Sequence, residues 1–354
     1  MTNPQRGADL LAASLARAGT RYLFSLSGNQ IMPLYDAAID ARLDIVHVRH
    51  EGAAVHMADA WGRLTGQPGI ALVTGGPGHA NAVGALYTAL AAESPMVLLS
   101  GHAPLAQLGM DAFQEMRQAD MAAPVAKASW TARSAETLGE DIARAFRIAL
   151  SGRPGPVHLS LPFDVLEART QSAAMPPAAA FDRSPQPLPP EAASEIAREL
   201  AGARRPLIIA GPMLTGMRGR AQREALAHAH GIPVVGMESP RGVNDPALGA
   251  VAELLKQADR VLLLGKKLDF TLRFGRAPAF APDGRFIQID PDGDSFERAA
   301  RALGDASRLV RSIRADAEAA VESLAASAIP LVADAGWCAE VDAAVRYRPA
   351  SWDE

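Results

Sequence analysis

Residues 7–165 alternate between short apolar runs and amphipathic segments, and this rhythm restricts the fold more than any other feature of the sequence. The short runs, such as PGIALVTGG and PMVLLSG, are bounded by glycine and proline, which is typical of strands. The segments between them carry apolar residues at spacings of three and four, which is typical of helices. Because strands and helices follow each other in strict alternation, the pattern predicts a parallel sheet covered on both faces.

A second α/β region follows an interruption in this rhythm. Residues 167–189 are rich in proline, alanine and serine and have no periodicity, so they are predicted to form a semi-extended linker. Strand-like and helical runs return over residues 190–327 and end in SRLVRSIRADAEAAVESLAAS, which is predicted to be one long helix. Residues 328–354 show no strong element. The sequence therefore predicts an α/β fold with two doubly wound parallel-sheet domains, at residues 1–166 and 190–327.

Composition narrows the classes of function. The net charge is −4 and the basic residues are scattered, so no nucleic-acid-binding surface is expected. The single cysteine, Cys338, cannot form an internal disulfide, which favours a reducing compartment. The N-terminus has no basic segment followed by an apolar run, and no apolar stretch approaches the roughly 20 residues that span a bilayer. We therefore expect a cytoplasmic protein with no membrane partner.

Glu51 is the first candidate functional residue. It lies in RHEG, where a predicted strand passes into a predicted helix. Ligands of open α/β sheets bind at the carboxyl ends of the strands, so Glu51 occupies a position where function is common. It is equally consistent with an acidic residue in a first helical turn, where the helix dipole favours a negative charge. Position alone leaves both interpretations open.

The second candidate is the turn Thr74-Gly75-Gly76-Pro77-Gly78, which follows the next strand. Glycines in such a turn let the backbone approach a ligand closely. The turn differs from a dinucleotide-binding fingerprint, because Asn81 replaces the third glycine and Pro77 stands between the first two. A tight turn whose glycines serve packing is the alternative.

The third candidate is DAFQE, in which Phe113 and Gln114 could wall a pocket. A capped loop with a buried phenylalanine explains the same residues equally well. The eight histidines have no spacing typical of metal ligands, so no metal site is predicted within the chain.

Together these stretches resemble the acetohydroxyacid synthase-like superfamily of thiamine-diphosphate (ThDP) dependent enzymes. That superfamily includes acetolactate synthase, benzaldehyde lyase, 2-hydroxyacyl-CoA lyase and oxalyl-CoA decarboxylase. The resemblance rests on motifs that occur in the family's order: RHEGAAVHMADAWGRLTG, VTGGPGHANAVGAL, PMVLLSG with DAFQE, MESPRGVNDPALGA and VLLLGKKLDF.

The resemblance implies roles for individual residues. Glu51 would hydrogen-bond the aminopyrimidine ring of ThDP and favour the imino tautomer that activates the cofactor. The other expected cofactor contacts are Gly28, Asn29, Gly76, Pro77 and Asn81, and the expected substrate pocket comprises Ser27, Gln30, Phe113 and Gln114. Relatives differ at the pocket positions, so the small-molecule substrate is not implied.

The resemblance also implies a third domain, in which Gly-Asp-Gly and a later asparagine hold Mg²⁺ and the diphosphate. The sequence lacks that motif, since Asp292-Gly293-Asp294 has the opposite order. Residues 328–354 would lead toward the absent domain. The chain is therefore expected to be the pyrimidine-binding and central portion of a 2-oxo acid decarboxylase/carboligase or acyl-CoA lyase, inactive alone. A separate chain could supply the diphosphate-binding domain.

Two further expectations concern ligands and assembly. In relatives the central domain often binds FAD or ADP, and Gly211, Gly265 and Asp290 could serve that role here, although other relatives bind nothing there. A homodimer or tetramer is expected, with helices 52–65 and 79–92 presenting a face of small residues, namely Ala53, Ala54, Ala58, Ala82, Ala85 and Ala89. The alternative function is a non-catalytic binding or regulatory protein with the same fold.

Overall fold

The computed structural model describes residues 4–171, 174–327 and 334–350. It divides into two compact units, Met1–Ser184 and Pro185–Glu354. Each unit has its own parallel sheet and its own hydrophobic core. The predicted α/β fold with two parallel-sheet domains is confirmed.

The first unit is built on a parallel sheet with helices on both faces. Its strands are β1 (Gln5–Arg6), β2 (Tyr22–Ser25), β3 (Asp44–His47), β4 (Gly69–Val73), β5 (Met96–His102), β6 (Ala128–Thr131), β7 (Pro156–Pro162) and β8 (Arg169–Thr170). Its helices are α1 (Gly7–Arg17), α2 (Met32–Asp40), α3 (Glu51–Thr65), α4 (Pro77–Ala92), α5 (Gln118–Ala122), α6 (Leu138–Leu150) and α7 (Phe163–Glu167). The sheet order is β3-β2-β4-β5-β7-β6, while β1 and β8 form a separate antiparallel pair.

Alternate residues of the central strands enter different cores. In β4, Ile70 and Leu72 join the core beneath α1, α2 and α6, whereas Ala71 and Val73 join the core beneath α3 and α4. Successive side chains of a strand point to opposite faces, so a strand that is apolar throughout must be covered on both sides. The continuous apolar runs in the sequence thus explain the three-layer architecture of this unit.

Glycines allow α3 to approach the sheet closely. A Cβ on Gly62 in α3 would lie 2.3 Å from the Pro95 carbonyl oxygen, and one on Gly69 in β4 would lie 2.0 Å from the Ala58 carbonyl oxygen. Most of the alanines expected at the surface of α3 and α4 also face inward, where small side chains allow this close packing. The predicted small-residue face is therefore wrong as a surface: Ala54, Ala58, Ala82, Ala85 and Ala89 are buried inside the unit, and Ala53 alone of that set is exposed.

Two adjacent histidines form a buried polar layer, here called the histidine layer, between α4 and β7. The rings of His79 and His158 are both fully buried, with centroids 4.5 Å apart. His158 Nδ1 lies 2.8 Å from Ser129 Oγ, which donates its own proton to the Ala119 carbonyl oxygen. His158 must therefore donate from Nδ1, which leaves Nε2 to accept from Ser160 Oγ at 3.4 Å. This network fits a neutral imidazole.

The segment predicted as a linker is packed, because apolar side chains are spaced between its prolines. Phe181 is buried against Phe146, with ring centroids 5.7 Å apart, and belongs to the first unit. Leu188 is buried in the second unit, where the Gln186 amide also donates to Asp316. The division between the units accordingly falls at Ser184, inside the predicted linker. Residues 172–173 of that segment lie outside the described residues.

The second unit has a parallel sheet with the order β10-β9-β11-β12-β13. Its strands are β9 (Pro206–Ala210), β10 (Val234–Gly236), β11 (Arg260–Leu264), β12 (Arg285–Asp290) and β13 (Leu309–Arg314). Its helices are α8 (Pro190–Ala201), α9 (Met217–His230), α10 (Val251–Leu255), α11 (Asp294–Leu303), α12 (Ala317–Ala325) and α13 (Ala335–Arg346).

Two predictions for this unit are wrong. The predicted long final helix is strand β13 followed by helix α12, because LVRSIR pairs in parallel with β12 and so completes the sheet edge. The predicted tail contains α13, which is anchored by Trp337: its ring is buried and its Nε1 donates to the Pro206 carbonyl oxygen at 2.8 Å. Residues 328–333 and 351–354 of that tail lie outside the described residues.

The close contact of α3 with the sheet gives a first prediction. Gly62→Ala should lower the free energy of unfolding by about 1–3 kcal/mol, because the added methyl group has no room beside Pro95. Gly84→Ala is the matched control, since Gly84 is exposed in α4 and a Cβ there meets nothing within 4 Å. That variant should gain up to about 1 kcal/mol from helix propensity. Urea unfolding measures both, and equal effects would contradict the packing described.

The histidine layer gives a second prediction, on acid stability. Burial lowers the pKa of His79 to about 4, and burial also puts the pKa of His158 well below 6.5. The unfolded chain therefore takes up protons first as the pH falls below 6.5, and the free energy of unfolding should decrease from there to about pH 4. His79→Asn should flatten this decrease relative to wild type. The exposed His56→Asn is the control, and an unchanged slope in His79→Asn would contradict the account.

Candidate functional site

The sequence motifs meet at the carboxyl edge of the first unit's sheet. Glu51 is the first residue of α3, which follows β3. The glycine turn, residues 74–78, follows β4 and leads into α4, and the loop at residues 111–115 follows β5. Because β2 to β7 run parallel, the ends of these strands share one edge. Such edges are where open α/β sheets bind ligands.

The Glu51 carboxylate is half-buried and turned toward α4. Its Oε2 accepts a hydrogen bond of 3.0 Å from the Asn81 side-chain amide. Its Oε1 lies 3.3 Å from the point that a Cβ on Gly78 would occupy, and accepts no hydrogen bond from the described residues. His50 caps α3, because its Nδ1 accepts a hydrogen bond from the Gly52 amide at 3.0 Å. Glu51 is therefore a first-turn acid whose side chain is free to do something other than cap its helix.

The Thr74 side chain explains why residues 28 and 78 are both glycine. A Cβ on Gly28 would lie 2.4 Å from Thr74 Cβ, and one on Gly78 would lie 2.8 Å from Thr74 Cγ2. Gly76 caps α4 with φ +58° and ψ −118°, a conformation that favours glycine. The backbone of residues 74–78 is thus held at close range by packing.

The amides of the turn point into the protein. The Gly75 N–H donates to Gln30 Oε1 at 2.8 Å, and the Gly76 N–H donates to Gln118 Oε1 at 2.9 Å. A phosphate-binding glycine loop presents such N–H groups to its ligand. Because both are already bonded to buried side chains, the geometry favours the tight-turn interpretation over dinucleotide binding.

The residues expected around the cofactor and substrate differ in how deeply they are buried. Gln30 is buried, and its side-chain amide holds the glycine turn. The sequence pattern did not distinguish the buried Gln30 from its exposed neighbours. The others at this edge are accessible to different degrees, with Gly28 half-buried and Ser27, Asn29, Pro77 and Asn81 exposed.

The loop of residues 111–115 carries an exposed aromatic ring. Phe113 is 70% exposed, so the alternative of a buried phenylalanine is wrong. Asp111 and Gln114 have φ of +57° and +58°, which is uncommon for residues other than glycine. Glu115 holds this backbone by accepting from the Gly109 amide at 2.5 Å and the Ala112 amide at 3.1 Å. These backbone hydrogen bonds keep the pKa of the exposed Glu115 carboxyl below its ordinary value.

A cleft of about 560 Å³ adjoins this loop. Its lining residues include His102, Gln114, Gln118 and Thr131, but not Glu51. Gln114 also packs against the glycine turn, since a Cβ on Gly76 would lie 2.8 Å from Gln114 Cβ. The Glu51 carboxylate, outside this cleft, is the better marker of the site because specific contacts with Asn81 and Gly78 define its geometry.

Several other kinds of site are unsupported within the described residues. None of the helices found there is both long enough and apolar enough to cross a bilayer. The same residues contain no cluster of three or more His, Cys, Asp or Glu side chains suited to a metal ion. Asp292, in the segment of reversed order, bonds to the Asp294 amide and pairs with Arg298 at 2.5 Å. Its carboxylate is therefore engaged locally.

Of the three residues expected at a nucleotide site in the second unit, Gly211 and Asp290 are engaged within the protein. A Cβ on Gly211 would lie 2.1 Å from the Gly265 carbonyl oxygen, so this glycine serves the close approach of two strand ends. Asp290 is fully buried and accepts from the Asp292 amide at 2.9 Å and from Gln288 Nε2 at 3.3 Å. We derive no function through a nucleotide at this edge.

Comparison with known protein families gives two matches along the chain. Residues 5–121 match the family described as thiamine pyrophosphate enzyme, N-terminal TPP binding domain. Residues 193–324 match the thiamine pyrophosphate enzyme central domain. The first match contains Glu51, the glycine turn and the loop at 111–115, and each match falls within one compact unit.

Comparison with curated proteins gives acetolactate synthases among the relatives. The probable acetolactate synthase large subunit of Methanocaldococcus jannaschii is 31% identical over 88% of this chain and 56% of its own length. The acetolactate synthase isozyme 3 large subunit of Escherichia coli is 31% identical over 87% of this chain and 57% of its own length. The chain thus spans about half the length of these relatives. With its fold and both family matches in agreement, the chain belongs to the thiamine pyrophosphate enzyme family, of which it carries the N-terminal TPP-binding and central domains.

Proposed function

We propose that the first unit presents Glu51 to the aminopyrimidine ring of ThDP. In this proposal the chain is the pyrimidine-binding and central portion of a ThDP-dependent 2-oxo acid decarboxylase/carboligase or acyl-CoA lyase. The observation that carries the proposal is the Glu51 carboxylate, with Oε2 held by Asn81 and Oε1 directed toward Gly78 without a protein donor among the described residues.

The surroundings of Glu51 suit a flat heteroaromatic ring. Gly78 has no side chain that could crowd Oε1 of Glu51. Hydrogen bonding through Oε1 would orient such a ring against the glycine turn. When bound, ThDP supplies a carbon nucleophile from its thiazolium ring.

Glu51 would hold a proton at Oε1 and share it with a ring nitrogen. General acid–base catalysis of this kind requires a group that can both bind and release the proton at the same atom. The Asn81 amide donates to Oε2 and so fixes the plane of the carboxylate. Asn81 therefore orients Oε1, in addition to the direct cofactor contact expected from the family resemblance.

We assign the diphosphate and Mg²⁺ to a further domain, in the same protein or in another chain. Magnesium requires oxygen ligands in near-octahedral order and commonly binds through a few carboxylates together with phosphate oxygens. The relatives are about twice as long as the matched region, which leaves room for such a domain in them. On this proposal the chain alone is inactive and binds ThDP weakly, through the pyrimidine end only.

We also propose that copies of the chain associate through the outer surfaces of α3 and α4. The alanines once expected there are buried, but Met57, Leu64 and Tyr87 are exposed, at 37%, 83% and 64%. Exposed apolar side chains of this kind on α3 and α4 suit a closed two-fold dimer.

The proposal predicts a large effect of Glu51→Gln on cofactor activation. In the complex that contains the diphosphate-binding domain, hydrogen–deuterium exchange at thiazolium C2 of bound ThDP should slow by at least about 100-fold, comparable to loss of a general acid–base group. Glutamine keeps the size and a hydrogen bond but cannot carry the proton. Exchange at C2 followed by proton NMR needs no knowledge of the substrate.

The matched control is Glu167→Gln, which changes an exposed carboxylate in the same unit. Its C2 exchange rate should equal that of wild type. A wild-type rate in Glu51→Gln as well would rule out Glu51 as the activating group. That result would favour a non-catalytic binding or regulatory function for the fold.

A further inference from the structure

We propose that Gln30 and Gln118 act together as positioning residues that fix the glycine turn and, through it, Asn81 and Glu51. We call this pair the glutamine clamp. The inference rests on the proposed function of Glu51, because it concerns how that carboxylate is aligned. It assigns Gln30 a role different from the substrate contact that the family resemblance implied.

The two clamp residues come from separate segments of the chain and bind consecutive backbone amides of the turn. Gln30 precedes α2 and accepts from the Gly75 N–H at 2.8 Å and from Thr74 Oγ1 at 3.2 Å. Gln118 begins α5 and accepts from the Gly76 N–H at 2.9 Å. Both side chains are buried, at 4% and 1% exposure. Buried amides with these partners are held in one orientation, because an N–H can only face the amide oxygen.

The donor ends of the clamp are also bonded. Gln30 Nε2 donates to the Phe113 carbonyl oxygen at 3.3 Å, which links the turn to the loop of residues 111–115. Gln118 Nε2 donates to the Gly101 carbonyl oxygen at 3.0 Å and to Ser160 Oγ at 3.1 Å. Ser160 in turn donates to the histidine layer through His158. The clamp thus ties the turn to β5, β7 and the loop.

Gly75 lies between the two amide oxygens. A Cβ there would be 2.4 Å from Gln30 Oε1, 2.6 Å from the Gly101 carbonyl oxygen and 2.9 Å from Gln118 Oε1. A side chain at this position would displace both clamp residues. The turn and the clamp therefore require each other, and glycine at residue 75 is explained by the clamp.

The turn determines the position of the first residues of α4, and these residues determine the position of the Glu51 carboxylate. Gly76 directly precedes α4, and Gly78 and Asn81 lie near the start of that helix. Asn81 holds Oε2 of Glu51, and Gly78 leaves the space beside Oε1. A shift of the turn would move both contacts together. A small misplacement of a reacting group is enough to cost about tenfold or more in rate.

Amide exchange measured by NMR on the full chain tests the clamp directly. Gln118→Ala should raise exchange of the Gly76 amide by at least about 100-fold and leave that of Gly75 much less changed. Gln30→Ala should do the reverse. A general loss of stability would raise exchange throughout, so the amides of Leu99 and Leu159 in β5 and β7 serve as internal references. Exposed Gln107→Ala is the matched control and should change neither glycine.

The conservative variants Gln30→Glu and Gln118→Glu keep the test valid if an alanine variant does not fold. Each retains an oxygen that can accept from its glycine, so protection of Gly75 and Gly76 should be retained. Each loses its donor, so Gln30→Glu should release the loop at Phe113. Unchanged exchange of both glycines in both alanine variants would overturn the clamp, as would a uniform rise at every amide.

The link to Glu51 has a separate readout. In the complex with the diphosphate-binding domain, each alanine variant should slow C2 exchange of bound ThDP by about tenfold, with Gln107→Ala unchanged. Wild-type rates in both alanine variants would show that the clamp does not position Glu51. Failure of Glu51→Gln to slow C2 exchange would overturn the proposed function instead, whatever the glycine amides show.

Discussion

The close backbone approach at the glycine turn is the constraint on which the site depends. Gly75, Gly76 and Gly78 lie where no side chain fits: Gln114 lies beside Gly76, Thr74 occupies the space beside Gly78, and two glutamine oxygens flank Gly75. The inward N–H groups of the turn are satisfied by those glutamines, since an unpaired buried amide would be costly. Glu51, the first turn of α4 and the loop at 111–115 are all placed relative to this turn.

The same constraint explains the chemical asymmetry of Glu51. One carboxylate oxygen is held by Asn81 from the helix that the turn starts, and the other faces the space that Gly78 leaves open. A carboxylate fixed on one side and open on the other is suited to pass a proton at a single atom. The rest of the unit keeps that arrangement rigid through two apolar cores and the buried histidine layer.

Periodicity predicted the framework because burial on both faces leaves a direct trace in the sequence. The runs PGIALVTGG and PMVLLSG, taken as strands, coincide with β4 and β5, and RHEG and the glycine turn both fell where a strand meets a helix. Prediction was weaker where burial is one-sided or short. LVRSIR, at a sheet edge, was taken for helix. Phe181 and Leu188 bury a segment whose composition indicated a linker.

Side-chain roles were harder to predict than elements, because they depend on partners far apart in sequence. Gln30 and Gln118 meet at one turn only after the sheet has formed, and nothing local marks them as buried. His79 and His158 have no metal spacing, and their pairing across α4 and β7 leaves no local sequence signal. Glu51 was identifiable because its position at a strand end and its resemblance to a family motif agreed.

The most direct test of the account is an NMR titration of the ¹⁵N-labelled chain with ThDP and with thiamine, which lacks the diphosphate. If Glu51 meets the pyrimidine ring, both ligands should shift the Asn81 side-chain amide and the Gly78 backbone amide at millimolar concentration. Those shifts should be similar for the two ligands, because the recognised ring is the same, and should weaken in Glu51→Gln. Shifts confined to the second unit, or none near Asn81 and Gly78, would contradict the assignment of the site.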